Sequence, residues 1–135
     1  MIWFRAFILM CTCVTLEVSF NAIRRLLWHR RSNGMGEISV VMLPIYYFGI
    51  GFALVWFGGH LAGWNWAARG LGYAVGIMAF EWCAATVLYR FGIRAWVYTR
   101  GWHIQGKVRL DYIFYWWVFG VAFDAFNSLL VRLLP

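Results

Sequence analysis

The stretch GLGYAVGIMAFEWCAATVLY, residues 70–89, decides the fold class of this chain. It is 20 residues long and holds a single charged side chain, Glu81. The hydrocarbon core of a bilayer is ~30 Å thick, and ~20 helical residues cross it. The stretch therefore predicts a membrane-spanning helix.

The composition of the whole chain indicates the same class. Of its 135 residues, 64% are hydrophobic and 13% are charged, whereas a soluble domain has roughly 45–50% apolar and ~25% charged residues. Too few charges remain to cover a water-facing globule, which excludes a soluble domain, a disordered tail and a secreted disulfide scaffold. We predict an all-α integral membrane protein with one domain over residues 1–135.

Three further apolar runs are long enough to cross a bilayer. With the first stretch they predict four transmembrane helices, at residues 2–23, 39–58, 70–89 and 111–134. The second run contains Pro44, followed by Tyr46. Because proline removes a backbone donor and crowds the preceding turn, we expect a kink at Pro44, with neighbouring helices satisfying the freed carbonyl.

The basic residues are unevenly shared between the gaps that separate these spans. Nine of the 12 Lys and Arg residues lie in the first and third gaps. They are Arg24, Arg25, Arg30, Arg31, Arg90, Arg94, Arg100, Lys107 and Arg109. The positive-inside rule then places these two gaps in the cytoplasm and both termini outside. The net charge of +7 indicates membrane lipids as partners, with no nucleic acid, and the bacterial inner membrane is the expected location.

Two further patterns concern helix packing and the membrane surface. Ala68, Gly72 and Gly76 form a stripe of small residues at a spacing of four, which allows another helix to approach closely. That helix belongs either to this chain or to a partner. Trp and Tyr favour the headgroup layer, and six of them flank the predicted spans: Trp28, Trp64, Trp66, Trp96, Tyr98 and Trp102.

Three carboxylates lie inside the predicted spans: Glu17, Glu81 and Asp124. An ionised acid costs roughly 2.5–3.5 kcal/mol near the bilayer centre. The three together would cost on the order of 8–10 kcal/mol, comparable to the stability of a whole fold. They must therefore be paired, protonated or open to a wet cavity, and none of them can face lipid.

Helix geometry suggests which of these acids share a site. At 1.5 Å per residue, Glu17 and Glu81 lie about 9 and 12 Å from the cytoplasmic ends of their helices. Glu17, Asn21 and Arg24 share one helix face, so Arg24 can extend toward either glutamate. We predict a buried polar site built from these four residues, with Asp124 separate from it. Such a site binds a head group, an ion or a proton; the alternative is a structural ion pair that fixes helix register.

The third gap, residues 90–110, differs from a plain linker. It reads RFGIRAWVYTRGWHIQGKVRL, with basic and aromatic residues interleaved between glycines. We expect it to lie in the cytoplasmic interface as a lid, in contact with phospholipid head groups or an anionic ligand. Generic interfacial anchoring is the alternative. The candidate residues of this loop and of its boundary with the last span are Trp96, Tyr98, Trp102, Lys107, Arg109 and Asp111.

Five motifs follow one another along the chain. They are LEVSFNAIRR (residues 16–25), MLPIYYFG (42–49), FEW (80–82), YRFGIRAWVY (89–98) and QGKVRLDY (105–112). In this order and spacing the chain, over about residues 16–124, resembles the small membrane-protein family of ABC-transporter type IV components, which includes the vertebrate transmembrane protein 229 branch.

The resemblance implies the membrane part of a transporter, since the chain contains no Walker motif. The family's recurrent positions fall on Glu17, Pro44, Tyr46, Glu81, Trp96, Tyr98, Gly106, Asp111, Trp117 and Asp124. Val97 stands where relatives have a loop acid. A role that needs that acid is therefore not implied for this chain.

Three functions stay open from the residues. The first is a transporter-like membrane component that binds a small or lipid-like ligand at the polar site, as a homodimer or within a larger complex. The second is a small membrane enzyme acting on a lipid or isoprenoid, with Glu17 and Glu81 as acid and base. The third is an assembly subunit that packs through the small-residue stripe. The cysteines form no CxxC pair and the histidines lie far apart, so we expect no metal or cofactor.

Overall fold

A computed structural model describes residues 2–28 and 38–134 of the chain, and the described part is mainly helical. Its helices are α1 (Ile2–Trp28), α2 (Met42–Phe48), α3 (Val55–His60), α4 (Trp66–Arg90) and α5 (Ile113–Leu133). Four helical stretches are long and apolar enough to cross a membrane: Ile2–Leu27, Met42–His60, Trp66–Arg90 and Leu110–Leu133. The four predicted spans are thereby confirmed as apolar helices of sufficient length.

The ends of the spans differ from the predicted ends by up to four residues. The fourth α-helix begins at Trp66 rather than residue 70 because the Asn65 side chain accepts a hydrogen bond from the Ala68 N–H at 2.9 Å, which caps the first turn. The first helix runs past residue 23 to Trp28, with Arg25 in its last turn. A cation at this end interacts favourably with the helix dipole. Arg30, Arg31 and the Trp28 side chain lie outside the described residues.

The chain divides into two compact units, residues 1–51 and 52–135. In the first unit α1 packs against α2. A Cβ added at Gly51 would lie 2.7 Å from the Cβ of Ala6, so the missing side chain permits this close approach. Ala6 and Leu9 are almost completely buried. The contact is of the small-residue type that lipid-embedded helices use.

The irregularity in the second span does not lie at Pro44. Because α2 begins at Met42, Pro44 occupies the first helical turn, where the backbone N–H groups have no intrahelical acceptor and proline is tolerated. The departure from α-helical geometry lies instead at Gly49–Leu54, a π-helical segment between α2 and α3. In this position Pro44 gives no reason for a kink, and the kink predicted there stays a prediction. The two glycines Gly49 and Gly51 mark the irregular segment.

The core of the second unit is centred on Tyr73, which is 2% exposed. A Cβ added at Gly58 would meet its hydroxyl oxygen, and one added at Gly120 would meet its Cβ. The ring also lies edge-on to Phe123, with centroids 6.1 Å apart. Two glycines from different helices thus make the space that a large aromatic side chain fills.

The small-residue stripe of α4 is used inside the chain. A Cβ at Gly72 would lie 2.9 Å from Leu61, and one at Gly76 would lie 2.9 Å from Phe57. The space beside both glycines is therefore already filled by side chains from the preceding part of the chain. The stripe therefore serves packing within the chain, and its use by an assembly subunit stays a prediction.

The segment between α4 and α5 contains a short hairpin. Strands β1 (His103–Ile104) and β2 (Val108–Arg109) pair antiparallel, and a 3-10 turn, Leu110–Tyr112, leads into α5. The connecting turn has positive φ at Gln105 and Gly106, 53° and 69°. It is closed by the Lys107 N–H, which donates to the Ile104 carbonyl at 2.9 Å. Glycine at the second position makes this left-handed turn accessible.

Candidate functional site

Each of the three acids inside the spans accepts a hydrogen bond from a tyrosine hydroxyl. Tyr46 donates to Glu17, Tyr98 to Glu81 at 3.2 Å, and Tyr73 to Asp124 at 2.8 Å. Such bonds lower the cost of placing a carboxylate at membrane depth. Each of these acids therefore has at least one hydrogen-bonding partner, of a residue type that the sequence had not pointed to for that role.

Glu17 lies in the first unit and bonds to Tyr46 of α2 within that unit. Asn21 is half-buried one turn further along α1, and Arg24 is exposed. Tyr46, predicted only beside a kink, is thus the residue that satisfies the acid. The predicted combination of Glu17 with Glu81 links residues of the two units and stays a prediction.

Asp124 forms a separate polar group with two residues of α4. Its Oδ1 lies 2.6 Å from Nη2 of Arg69 and also accepts from Tyr73. The side chains of Arg69 and Asp124 are 26% and 24% exposed. The indole of Trp117, on the same face of α5, donates to the Ala67 carbonyl at 2.9 Å. This face of α5 therefore packs on α4, and the ion pair fixes their register.

Glu81 lies about 13 Å along α4 from Arg90, the last residue of that helix. It is half-buried, and its partner Tyr98 belongs to the segment that follows the helix. Tyr89, near the end of α4, donates to the carbonyl of Trp96 at 2.7 Å. The segment therefore folds back along α4 toward the carboxylate, and its expected place in the cytoplasmic interface stays a prediction.

Several backbone groups of this returning segment are hydrogen-bonded within the segment. The Tyr98 N–H donates to the Gly106 carbonyl at 2.8 Å, and the Leu110 N–H donates to the Trp102 carbonyl at 2.7 Å. The Trp96 indole donates to the Lys107 carbonyl at 2.9 Å. Non-helical backbone is tolerated at membrane depth where protein groups satisfy it. The groups bonded around the hairpin meet that condition, and Val108 within the hairpin is 3% exposed.

The two cations of β2 and its turn differ in their partners. Arg109 binds Asp111 through two nitrogens and donates to the Tyr112 hydroxyl at 3.0 Å. The hydrogen bond to Asp111 raises the pKa of Arg109 above its ordinary value. The Lys107 ammonium instead donates to the Thr86 hydroxyl at 3.0 Å and the Gln105 side-chain oxygen at 2.8 Å, which are neutral acceptors.

The predicted interfacial aromatics separate into two groups. Trp96 and Tyr98 are half-buried and bond inside the segment or to α4. Trp102, at the start of the hairpin, is 79% exposed. Trp64 and Trp66, at the opposite end of α4, are exposed as well. The exposed group suits a headgroup layer, whereas the half-buried pair builds the site.

The candidate site therefore consists of the part of α4 from Glu81 to Arg90 and the segment folded against it. Of the predicted residues it contains Glu81, Trp96, Tyr98 and Lys107, and Arg109 and Asp111 pair beside it. Glu17, Glu81 and Asp124 are half-buried in the structure, and the predicted buried polar site stays a prediction.

Sequence reasoning missed Thr86, Trp82 and Tyr89, which contact the lysine. The Lys107 ammonium lies 5.1 Å from the ring centroid of Trp82 and 5.8 Å from that of Tyr89. Trp82, Thr86 and Tyr89 follow a spacing of four and three, which puts them on one helix face. That spacing was visible in the sequence, but the loop partner that would meet this face was not.

Comparisons with known proteins add no assignment to this geometry. Within residues 2–28 and 38–134, no three His, Cys, Asp or Glu side chains form a group that could hold a metal ion. No family model, curated protein or solved structure matches the chain.

Proposed function

We propose that this chain is a membrane component that binds a small or lipid-like ligand at Glu81, beneath the segment that returns along α4. A single observation carries the proposal: the hydroxyl of Tyr98 donates to the Glu81 carboxylate at 3.2 Å, about 13 Å from the end of the helix. An intramembrane acid is costly and commonly marks a ligand or ion site. Here a connecting segment reaches inward to it.

The chemistry of this arrangement suits a ligand with a hydrogen-bond donor. A carboxylate accepts hydrogen bonds from hydroxyl or ammonium groups, and a ligand group of that kind would take the place of Tyr98. Because Tyr98 belongs to a loop and Glu81 to a helix, the exchange needs movement of the loop alone. We therefore assign Tyr98 a gating contact and Glu81 the ligand contact.

The transporter-like role is part of the proposal and rests on the motif resemblance. Four spans are few for a complete permease, so we propose action as a homodimer or within a larger membrane complex. The asymmetry of basic residues supports a plasma-membrane location, with the returning segment on the cytoplasmic side and both termini outside.

Native mass spectrometry of the protein released from membrane-derived nanodiscs tests this proposal. We expect the wild type to carry a discrete additional mass, and Glu81→Gln to lose it, because the amide is uncharged and accepts more weakly. Tyr98→Phe keeps the carboxylate but removes the gating contact. Its ligand should exchange faster with added lipid while the bound mass stays the same.

The matched control is Asp124→Asn, which neutralises an intramembrane acid of the same unit away from the Glu81 site. It should retain the mass at wild-type occupancy, and circular dichroism should show unchanged helix content in all three variants. An equal mass on wild type and Glu81→Gln would place the ligand elsewhere. A wild type without any bound mass would contradict ligand binding and favour an assembly role.

A further inference from the structure

We infer that Lys107 and Arg94 hold the phosphate of an anionic membrane lipid against the ring of Tyr89. This site is separate from the Glu81 contact and does not require the proposed function. Both cations approach the same ring: the Lys107 ammonium and the Arg94 guanidinium carbon each lie 5.8 Å from the Tyr89 centroid. The two like charges repel each other, and an anion bound to both would offset this repulsion.

Neither Lys107 nor Arg94 belongs to an ion pair found among the described residues. Arg109 on the same hairpin pairs with Asp111, and Arg69 pairs with Asp124. The acceptors of the Lys107 ammonium, Thr86 and Gln105, are neutral. An anion from outside these residues would therefore offset the charges of Lys107 and Arg94.

The depth of the site is that of a lipid phosphate. The span Trp66–Arg90 has 25 residues, or about 37 Å of helix against a ~30 Å hydrocarbon core. Its last turns therefore reach the headgroup layer. Thr86, which accepts from Lys107, lies four residues, about 6 Å, before the end of the helix. A lysine held there sits at the border between acyl chains and phosphates.

Exposed apolar side chains on and just after α4 offer contacts for the acyl chains of the lipid. Phe91 is 76% exposed, and Val87 and Trp82 are 55% and 37% exposed. Trp82 contacts the Lys107 ammonium, and Val87 and Phe91 lie further along α4 and just beyond its end. Acyl chains would lie against them, while the rings of Trp82 and Tyr89 keep the ammonium in place through cation–π contacts. A free phosphate would use only the two charges.

The test uses nanodiscs of phosphatidylcholine that contain phosphatidic acid, with the number of retained phosphatidic acid molecules read by native mass spectrometry. We expect one retained molecule on the wild type. Arg94→Gln and Lys107→Gln should each weaken retention about fivefold, which corresponds to ~1 kcal/mol per charge. Lys107→Arg keeps the charge and should restore most of the retention.

Arg132→Gln removes one positive charge from an exposed position at the end of α5 and is the matched control, expected to retain lipid like the wild type. Arg94 is itself exposed, so its substitution tests the site even if Lys107→Gln unfolds. Diacylglycerol, which lacks the phosphate, should not be retained. Wild-type retention in Arg94→Gln and Lys107→Gln, or equal loss in Arg132→Gln, would overturn the site.

Two further arms separate the alternatives. Millimolar inorganic phosphate should not displace the lipid; complete displacement would identify a free anion as the ligand and overturn the lipid assignment. Glu81→Gln should keep phosphatidic acid. If it loses phosphatidic acid as well, the two sites are one and the present inference of a separate site is wrong.

Discussion

Gly120→Ala is expected to lower the free energy of unfolding by about 2–3 kcal/mol, near the upper end of the usual cost of overpacking. The added Cβ would meet the Cβ of Tyr73, an atom next to the backbone that cannot swing aside. Tyr73 is 2% exposed, and its hydroxyl end is already close to Gly58. The ring therefore has no free space into which it could move.

Reversible denaturation in bicelles, followed by circular dichroism, measures this loss. The control is Gly59→Ala, since a Cβ at Gly59 has nothing within 4 Å. Alanine favours helix over glycine by up to ~1 kcal/mol, so the control should be neutral or slightly stabilising. Equal destabilisation by both substitutions would mean that the Gly120 contact with Tyr73 does not hold the helices together.

Asp124→Ala is expected to destabilise the second unit by about 2 kcal/mol, because it leaves the Arg69 guanidinium in a membrane span without its carboxylate. Breaking a fully buried pair costs ~3–5 kcal/mol, but both side chains are about one quarter exposed, and solvent or headgroups reduce the effect. The same substitution removes the acceptor of the Tyr73 hydroxyl, which adds to the loss.

A double-mutant cycle with Arg69→Ala separates the pair from its surroundings. The double variant should be more stable than the sum of the two single losses predicts, with a coupling energy of about 1–2 kcal/mol. Tyr73→Phe, which keeps the ion pair, should cost less than 1 kcal/mol by the same denaturation measurement. Strict additivity of Arg69→Ala and Asp124→Ala would show that the 2.6 Å contact contributes no stability.

Much of the helical organisation could be predicted because it depends on local properties of the chain. Twenty apolar residues in a row have to be helical in lipid, so the four spans follow from composition, with end errors of up to four residues. Those errors come from capping, as at Asn65, whose side chain extends α4 by a turn. The effect of Pro44 could not be predicted in the same way, because it depends on where the helix begins.

The site could be predicted only in part, since partners far apart in sequence decide it. That intramembrane acids need partners follows from solvation energy alone, and it singled out Glu81 and Asp124. It did not predict Tyr98 for the one or Arg69 and Tyr73 for the other. Sequence spacing on one helix reveals which residues share a face, but not which residue of another element meets that face.

The sequence by itself determined that this protein contains four apolar helices long enough to cross a membrane, and that acids inside them must be paired, protonated or open to a wet cavity. Both conclusions come from the energy of transfer into lipid, which each residue carries wherever it is placed. The tertiary structure decided that a tyrosine hydroxyl donates to each of those acids, that Gly72 and Gly76 serve packing within the chain, and that the loop after α4 returns to Glu81. These depend on distances between segments, which are set only when side chains from different elements pack together.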